Sequence, residues 1–506
     1  MAMKSKITKY FVAGAMACST LIYSGCTNLD EDVFSQIVPE SFFQNDAQAL
    51  STLIPIYAQL RSYLWNYYNI SQHTSDETMV PQRGGDWGDG GVWAQLHTHS
   101  WDKTHPMLNG AWIDAYTGVA RANVFIDNLS RSSVNDNLKK AFSAEARFLR
   151  AYFYFQLMDF FGGVPIVTTP TVDAANPPAR NTRQEVFNFI EKELREALPD
   201  LPTTATGPNL GRATKGAANT LLAKMYLNAQ VYTGTPRWQD CIAACDAVIN
   251  SNVYRLANNY FDNFAVNNEN SPEAIFIIGN VNQGGLGLTF TMRNFHYNQL
   301  PQSPWNGFCT IAEFIDQFSE PGDVRRNILQ EGRAINFITG QPAFDRSGNP
   351  LIFTRDVPLV NASEGAGVRV LKWAIDPAQN GGDAGNDYFI FRYADVLLMK
   401  AEAINELNGP TAEAVNLVNQ VRNRSINPPR PLSPANFNRD TFRAQILRER
   451  STELGWEATR RTDLIRHNRF TNAWTNKPAS QPIRNLFPIP QAQIDANPRL
   501  TQNPGY

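Results

Sequence analysis

Ala218-Asn219-Thr220-Leu221-Leu222-Ala223-Lys224 and Ala394-Asp395-Val396-Leu397-Leu398-Met399-Lys400 are two copies of one pattern, and the fold follows from reading them as such. Small residues and leucines recur at helical spacing in both, with lysine at the same place. Each copy opens into a predicted helical hairpin. One is Ala213 to Val231 followed by Arg237 to Asn250, and the other is Tyr388 to Leu407 followed by Thr411 to Arg424. The second copy runs on through Ala401-Glu402-Ala403 to Asn408-Gly409, where glycine can close the helix.

Small residues at helix crossings, a Gly/Pro turn and an amphipathic partner helix resemble tetratricopeptide units. Glu145 to Leu157, with Ala146, Leu149, Arg150 and Ala151, reads as a degenerate third unit. Such pairs bury their faces only by stacking, so the chain is predicted to be mainly α with a helical scaffold. Outward from the repeats, Asn109 to Leu129 and Ser143 to Phe161 read as long helices, the second stopped by Gly162-Gly163-Val164-Pro165. Thr182 can cap a further helix that ends at Leu198 before Pro199. Between about 255 and 385 the pattern changes to loops with short apolar runs, Ala274 to Ile278, Leu351 to Thr354 and Val368 to Trp373. The reading is one domain over 27–506, with helical halves at about 36–254 and 386–506 and a loop-rich region at about 255–385. Long loops on a rigid scaffold are where binding sites concentrate.

The 506 residues carry a formal charge of −2, which argues against nucleic acid as a partner. Beyond the leader only Cys241, Cys245 and Cys309 remain, too few for a disulfide framework in an exported chain. Cys241 and Cys245 share a helix face without a second pair of ligands, so they read as buried thiols rather than a metal site. The first residues are a targeting segment: Lys4, Lys6 and Lys9, then a short apolar stretch from Phe11 to Tyr23, too short to span a bilayer. It ends in Leu21-Ile22-Tyr23-Ser24-Gly25-Cys26, which looks like a lipoprotein cleavage box with Cys26 as the lipidated residue. Lipid at one residue holds a protein on a membrane with nothing spanning it.

Several motifs now point to one family. Pro39-Glu40-Ser41-Phe42-Phe43, then Glu145 to Tyr152 with Phe161-Gly162-Gly163-Val164-Pro165, resemble SusD/RagB proteins. So do Arg448-Glu449-Arg450 through Asp463-Leu464-Ile465-Arg466, Leu486-Phe487-Pro488-Ile489-Pro490, and the ending Asn503-Pro504-Gly505-Tyr506. The resemblance implies a SusD-like fold and an outer-membrane lipoprotein on the outer leaflet, facing the cell exterior. The acidic run Asp30-Glu31-Asp32 after Cys26 accompanies such export in the family. It further implies a non-enzymatic subunit without cofactor that captures oligosaccharide and delivers it to a SusC-like TonB-dependent transporter. A peptide ligand, as in the RagB branch, stays open as the alternative, and a surface glycoside hydrolase is the more distant one.

Sugars present C–H faces and many hydroxyls, so a site needs aromatic planes beside planar hydrogen-bonding groups. Two segments offer that mixture: Ser75 to Trp93, with five glycines around Trp87, and Phe290 to Trp305. The glycines suggest that the Trp87 indole projects from a loop. By the resemblance, Trp87, Tyr297 and Trp305 are the expected stacking residues, with Asp76, Arg83, Asp86 and Asn306 as polar partners. Arg83 and Asp86 can equally serve to fix the loop. Trp93 and Trp101 read as core.

Other chemistry is weaker. Glu449, Glu453 and Glu457 form a stripe interleaved with Arg448, Arg450, Arg460 and Arg461, which reads as an ion-paired structural helix. His97 and His99, spaced as on a strand, and His105 lack a completing carboxylate or thiol pattern. Gly284-Gly285-Leu286-Gly287 lacks the third glycine and the βαβ context of a dinucleotide loop.

Overall fold

The computed structural model describes Phe43 and residues 45–506; Cys26, the leader and residues 39–42 lie outside them. Helices α1 (Asp46–Ala58), α2 (Asn66–Gln72), α3 (Val92–Thr98), α4 (Pro106–Ser130) and α5 (Asp136–Phe161) build the first half. They are followed by α6 (Arg183–Ala197), α7 (Lys215–Leu227), the short α8 (Ala229–Thr233) and α9 (Trp238–Ile249). The last part adds α12 (Tyr393–Asn408), α13 (Ala412–Ser425), α14 (Arg439–Leu454), α15 (Arg460–Arg466) and α16 (Gln491–Ala496); α10 (Phe290–Asn294) and α11 (Ala312–Ile315) are single turns in between.

The starts are written in the sequence. Thr182 accepts from the Glu185 N–H while the Glu185 carboxylate reaches back to the Thr182 N–H, a capping box for α6. Thr214 and Thr411 accept the first free N–H groups of α7 and α13 in the same way. Helix α5 begins two turns before the expected Ser143, because Asn135 caps it and Asp136 complements its first turn. It ends where Gly162 adopts φ 76°, and Gly163 admits the Asn181 carbonyl so closely that a Cβ would lie 2.2 Å from that oxygen.

Packing proceeds in series. Helix α4 lies on α5, α5 on α6, and the hairpin α7/α9 stacks through α9 on α12, the first helix of the second hairpin. Alanines 217, 218, 223, 394, 401 and 403 are fully buried, so these backbones approach closely, as the repeat reading requires. From Phe148 to Phe161 nearly every side chain of α5 is buried, and a cut such as Phe148→Ala would cost about 3–5 kcal/mol.

One expected helix start is a strand. Tyr388–Arg392 forms β8, antiparallel to β2 (Ala274–Ile278), with Ile277 opposite Phe389 and Ile278 opposite Tyr388; α12 begins only at Tyr393. The other strands are two-residue ladders. They are β1 (Thr78–Met79) with β3 (Cys309–Thr310), β4 (Leu329–Gln330) with β7 (Arg369–Val370), and β5 (Gly332–Arg333) with β6 (Ile352–Phe353). Residues 43–506 form one compact unit. Among the described residues no helix is long and apolar enough to cross a membrane.

The carboxylate stripe is structural, with partners other than the expected ones. Glu449 and Glu453 sit on α14, while Glu457 lies beyond its end. They bind Arg325, Arg392, Arg422, Arg424 and Lys372, all reaching in from distant segments. The interleaved arginines turn elsewhere: Arg450 to Asp395 and Asp463, Arg460 to Asp76, Arg461 to Asp159, and Arg448 to the Gln317 carbonyl. Cys241, Cys245 and Cys309 are buried thiols. The histidines are not on a strand. His97 lies in α3 and faces the Thr475 carbonyl, His99 caps that helix and meets the Thr74 carbonyl, and His105 meets that of Val92.

Candidate functional site

The Gly-rich segment leaves the scaffold from a buried anchor. The Glu77 carboxylate accepts from Gln72 Nε2 (2.9 Å), the Trp456 N–H (3.0 Å) and Ser451 Oγ (3.1 Å). The ladder of β1 with β3 then sets this segment beside residues 309–310. At Arg83 the chain turns back on itself, Arg83 and Asp86 exchanging both backbone hydrogen bonds at 2.9 Å across Gly84-Gly85.

Arg83 itself is 2% exposed and faces inward. Its Nε donates to the Asn306 carbonyl (2.8 Å), one Nη to the Ala366 carbonyl (2.8 Å) and the other to that of Ser363. Asn306 is fully buried at φ 52°, a left-handed position that asparagine tolerates. Its Nδ2 donates to the Glu364 carbonyl at 3.1 Å, and its Oδ1 accepts from buried Arg369 at 2.6 Å. Three loops, 83–89, 305–307 and 363–369, are thereby tied together beneath the surface.

On that base lies an aromatic face. Trp87 has φ 61°, which costs a non-glycine residue about 1–2 kcal/mol. Its Nε1–H donates to the Trp305 carbonyl at 2.7 Å, and its ring covers Gly307 so closely that a Cβ there would be 2.3 Å away. The ring also meets Trp93 at 5.5 Å and Phe308 at 5.6 Å between centroids. The indole is thus docked and half-exposed, rather than projecting freely as the glycines suggested. Trp305 is 37% exposed, against the turn at Gly382. Trp65 is 41% exposed, edge-on to Trp93 at 6.2 Å, with the buried Arg293 guanidinium 4.7 Å over its ring.

A polar cluster borders this face. The half-exposed Tyr297 donates its hydroxyl to Asp86, and Arg346 lies over the Tyr297 ring at 4.1 Å. Arg346 also pairs with Asp86 at 3.1 Å and with Glu364 at 2.5 Å, while His296 Nε2 meets the other Glu364 oxygen at 2.7 Å. Burial, reinforced by the Asp86 carboxylate, pushes the Tyr297 phenol up to about 12, so it remains a donor at neutral pH. Burial alone would raise Glu364, but the Arg346 amide and guanidinium and His296 hold its carboxyl below the ordinary range. Burial lowers His296 despite Glu364 beside it.

The structure therefore brings together Asp86, Trp87, Tyr297 and Trp305 at the surface, with Arg83 and Asn306 underneath as supports. Asp76 is separate from them: both its oxygens bind Arg460, at 2.7 and 2.8 Å. Trp93 and Trp101 are 2% and 1% exposed. Sequence reasoning missed Trp65, Arg346 and Glu364. Trp65 hides among Tyr63, Tyr67 and Tyr68, whose spacing suggests core, and nothing local marks Arg346 or Glu364. The face is open rather than enclosed. A concavity of about 330 Å³, lined by Leu53, Ile54, Tyr57, Leu210 and Ile277, shares no lining residue with it.

Known proteins carry the same architecture. Residues 359–506 match the model of the SusD family, and residues 29–227 match the family described as "Starch-binding associating with outer membrane". The chain is 25% identical to SusD-like protein P25 of Formosa agariphila, over 94% of this chain and 96% of that one. It is also 25% identical to the starch-binding protein SusD of Bacteroides thetaiotaomicron, over 81% of each chain. A solved laminarin-binding SusD-like protein superposes with a TM-score of 0.75 at 24% identity, covering 92% of this chain and all of that one. The two family matches take in most of both helical halves and the relatives run nearly end to end, so this chain is SusD-like in sequence and in fold.

Proposed function

We propose that this protein is a cell-surface glycan-binding lipoprotein, anchored through Cys26 in the outer leaflet of the outer membrane. It captures oligo- or polysaccharide and delivers it to a SusC-like TonB-dependent transporter. The observation that carries the reading is the aromatic face: three tryptophans and a tyrosine, each partly exposed and each braced from behind or from the side, beside a cluster of fixed hydrogen-bonding groups. A pyranose ring laid on Trp305 or Trp87 buries its C–H face against the indole, while its hydroxyls reach Asp86, Tyr297 and Arg346. The preformed network of Arg83, Asn306 and Arg369 keeps the ordering cost of binding low.

Hydrolysis fits the same groups poorly. A glycosidase needs one carboxyl with a raised pKa as proton donor and a second carboxylate across the bond. Here Asp86 and Glu364 both grip Arg346, and Glu364 is held below its ordinary range.

The test is native electrophoresis of protein lacking residues 1–26 through gels containing single polysaccharides. Retardation by one glycan class, lost in Trp305→Ala, supports the reading. Mobility unchanged in every gel of a broad panel, acidic glycans included, sinks it and favours a peptide ligand.

A further inference from the structure

We propose that the platform takes an uncharged glycan and excludes chains bearing uronate or sulfate; this rests on the glycan-binding reading above. Charge-selective recognition of an anion needs a cation with donors to spare. At this surface the exposed cation beside the aromatic face has its charge offset by two carboxylates. Arg346, 52% exposed, is held by two carboxylates, Asp86 at 3.1 Å and Glu364 at 2.5 Å, with its plane over Tyr297.

The remaining arginines beneath the face are buried and turn most of their donors to the fold, with Arg293 Nε and Arg369 Nε enclosed and unpartnered. Arg83 feeds the carbonyls of Asn306, Ser363 and Ala366. Arg369 feeds Asn306 Oδ1 and the carbonyls of Glu364, Ala366 and Gly367. Arg293 donates to the Leu64 carbonyl under Trp65. Arg61 lines the separate concavity rather than the face and is pinned to Asn280 and to the carbonyls of Gly279 and Leu286. His296 faces Glu364 and, held low by burial, carries no charge at neutral pH.

Among the solvent-accessible side chains around the face the acids outnumber the cations. Asp89 sits two residues from Trp87, exposed, and accepts from Trp93 Nε1. Asp345 closes its own exposed turn next to Arg346. Against Asp86, Asp89, Asp345 and Glu364 stand Arg346 and, further out over Phe344, Arg333. An approaching carboxylate or sulfate meets these surface carboxylates first and competes with them for Arg346. A neutral hydroxyl needs no such exchange, because Asp86 and the Tyr297 oxygen retain free lone pairs.

The experiment extends the gel assay to two sets of probes, neutral (laminarin, amylopectin, xyloglucan, glucomannan) and anionic (polygalacturonate, alginate, chondroitin sulfate). The expected result is retardation by at least one neutral glycan and by none of the anionic ones. That retardation should change less than about twofold between ~20 and ~500 mM NaCl. The double variant Asp86→Asn/Glu364→Gln, its fold checked by thermal melting, frees Arg346 and should gain retardation by an anionic glycan. Salt-sensitive retardation of the wild-type protein by an anionic glycan overturns the proposal while the glycan-binding reading stands. So does a folded double variant that still passes all anionic gels unretarded. If no glycan of either set retards the wild type, the glycan-binding reading itself falls, and this inference with it.

Discussion

At the scale of single residues the proposed site separates into exposed side chains placed to meet a ligand and buried side chains that hold them. Trp305 is exposed and its ring supports little else, so Trp305→Ala should weaken glycan binding by about 1.5–3 kcal/mol, tenfold or more in Kd. Its melting temperature should stay within ~2 °C of wild type. Calorimetric titration beside a thermal melt measures both, and an unchanged Kd would remove Trp305 from the platform. Tyr297→Phe keeps the ring under Arg346 but loses the hydroxyl bond to Asp86, and should cost only about 1 kcal/mol of affinity. Arg83 and Asn306 behave differently. Their loss opens the joint between three loops and should lower stability and affinity together. The Gly-rich segment was legible in the sequence as a loop that brings a tryptophan to the surface. Direction was not: whether Arg83 points out to ligand or in to three carbonyls depends on residues 306, 363 and 366, more than 200 positions away.

At the scale of elements, the helical hairpins were legible because their signal is local. Caps at Thr182, Thr214 and Thr411 and the period of alanines and leucines lie within one or two turns of what they specify. The strand β8 was not. Tyr-Phe-Ile-Phe is apolar on both faces, a pattern that suits a buried strand and a buried helix alike, and only the pairing with β2, more than a hundred residues earlier, decides. The hairpin β5–β6 was half legible, since the run Leu351 to Thr354 marks β6 while Gly332–Arg333 carries no strand pattern. Its loop packs on the site: Phe337 lies against Phe295 at 4.9 Å, Asn298 Nδ2 donates to the Phe344 carbonyl, and Arg346 covers Tyr297. Replacing residues 335–349 by a two-residue turn should therefore leave the helical scaffold folded, with unchanged far-ultraviolet dichroism, yet unseat Tyr297. A loss of about 1–2 kcal/mol of affinity is expected. Wild-type affinity in the shortened protein would show that Tyr297 needs no such support.

At the scale of the whole molecule, the loop-rich region and the helices are joined by buried charge. Arg325, Arg392 and Arg424 converge on Glu453 of α14 from segments some 30 to 130 residues away, with Glu273, Glu449 and Glu457 completing the network. Removing one member strands the others, so Glu453→Gln should cost about 3–5 kcal/mol and be read as a fall in denaturation midpoint. The same groups set the response to pH. Burial alone would raise Glu453 and Glu402, but the surrounding arginines reverse this and hold both low, so their contribution is present above pH ~4 and is lost as pH falls through the folded values. Burial also depresses His73, His99 and His97, the last to about 4; a neutral imidazole favours the fold above pH ~6.5, and that advantage fades as acid is added. Tyr57, Tyr67 and Tyr260 are raised by burial, and their contribution is intact below pH ~10 and lost above it. All three classes leave the same window undisturbed. Burial pushes Lys477 down to about 8, so melting temperature should rise slightly between about 8 and 10, decline gently from 6.5, then steeply below 4.5, and fall again above 10. A maximum near pH 5 would contradict this, since it requires buried histidines that gain protons on folding.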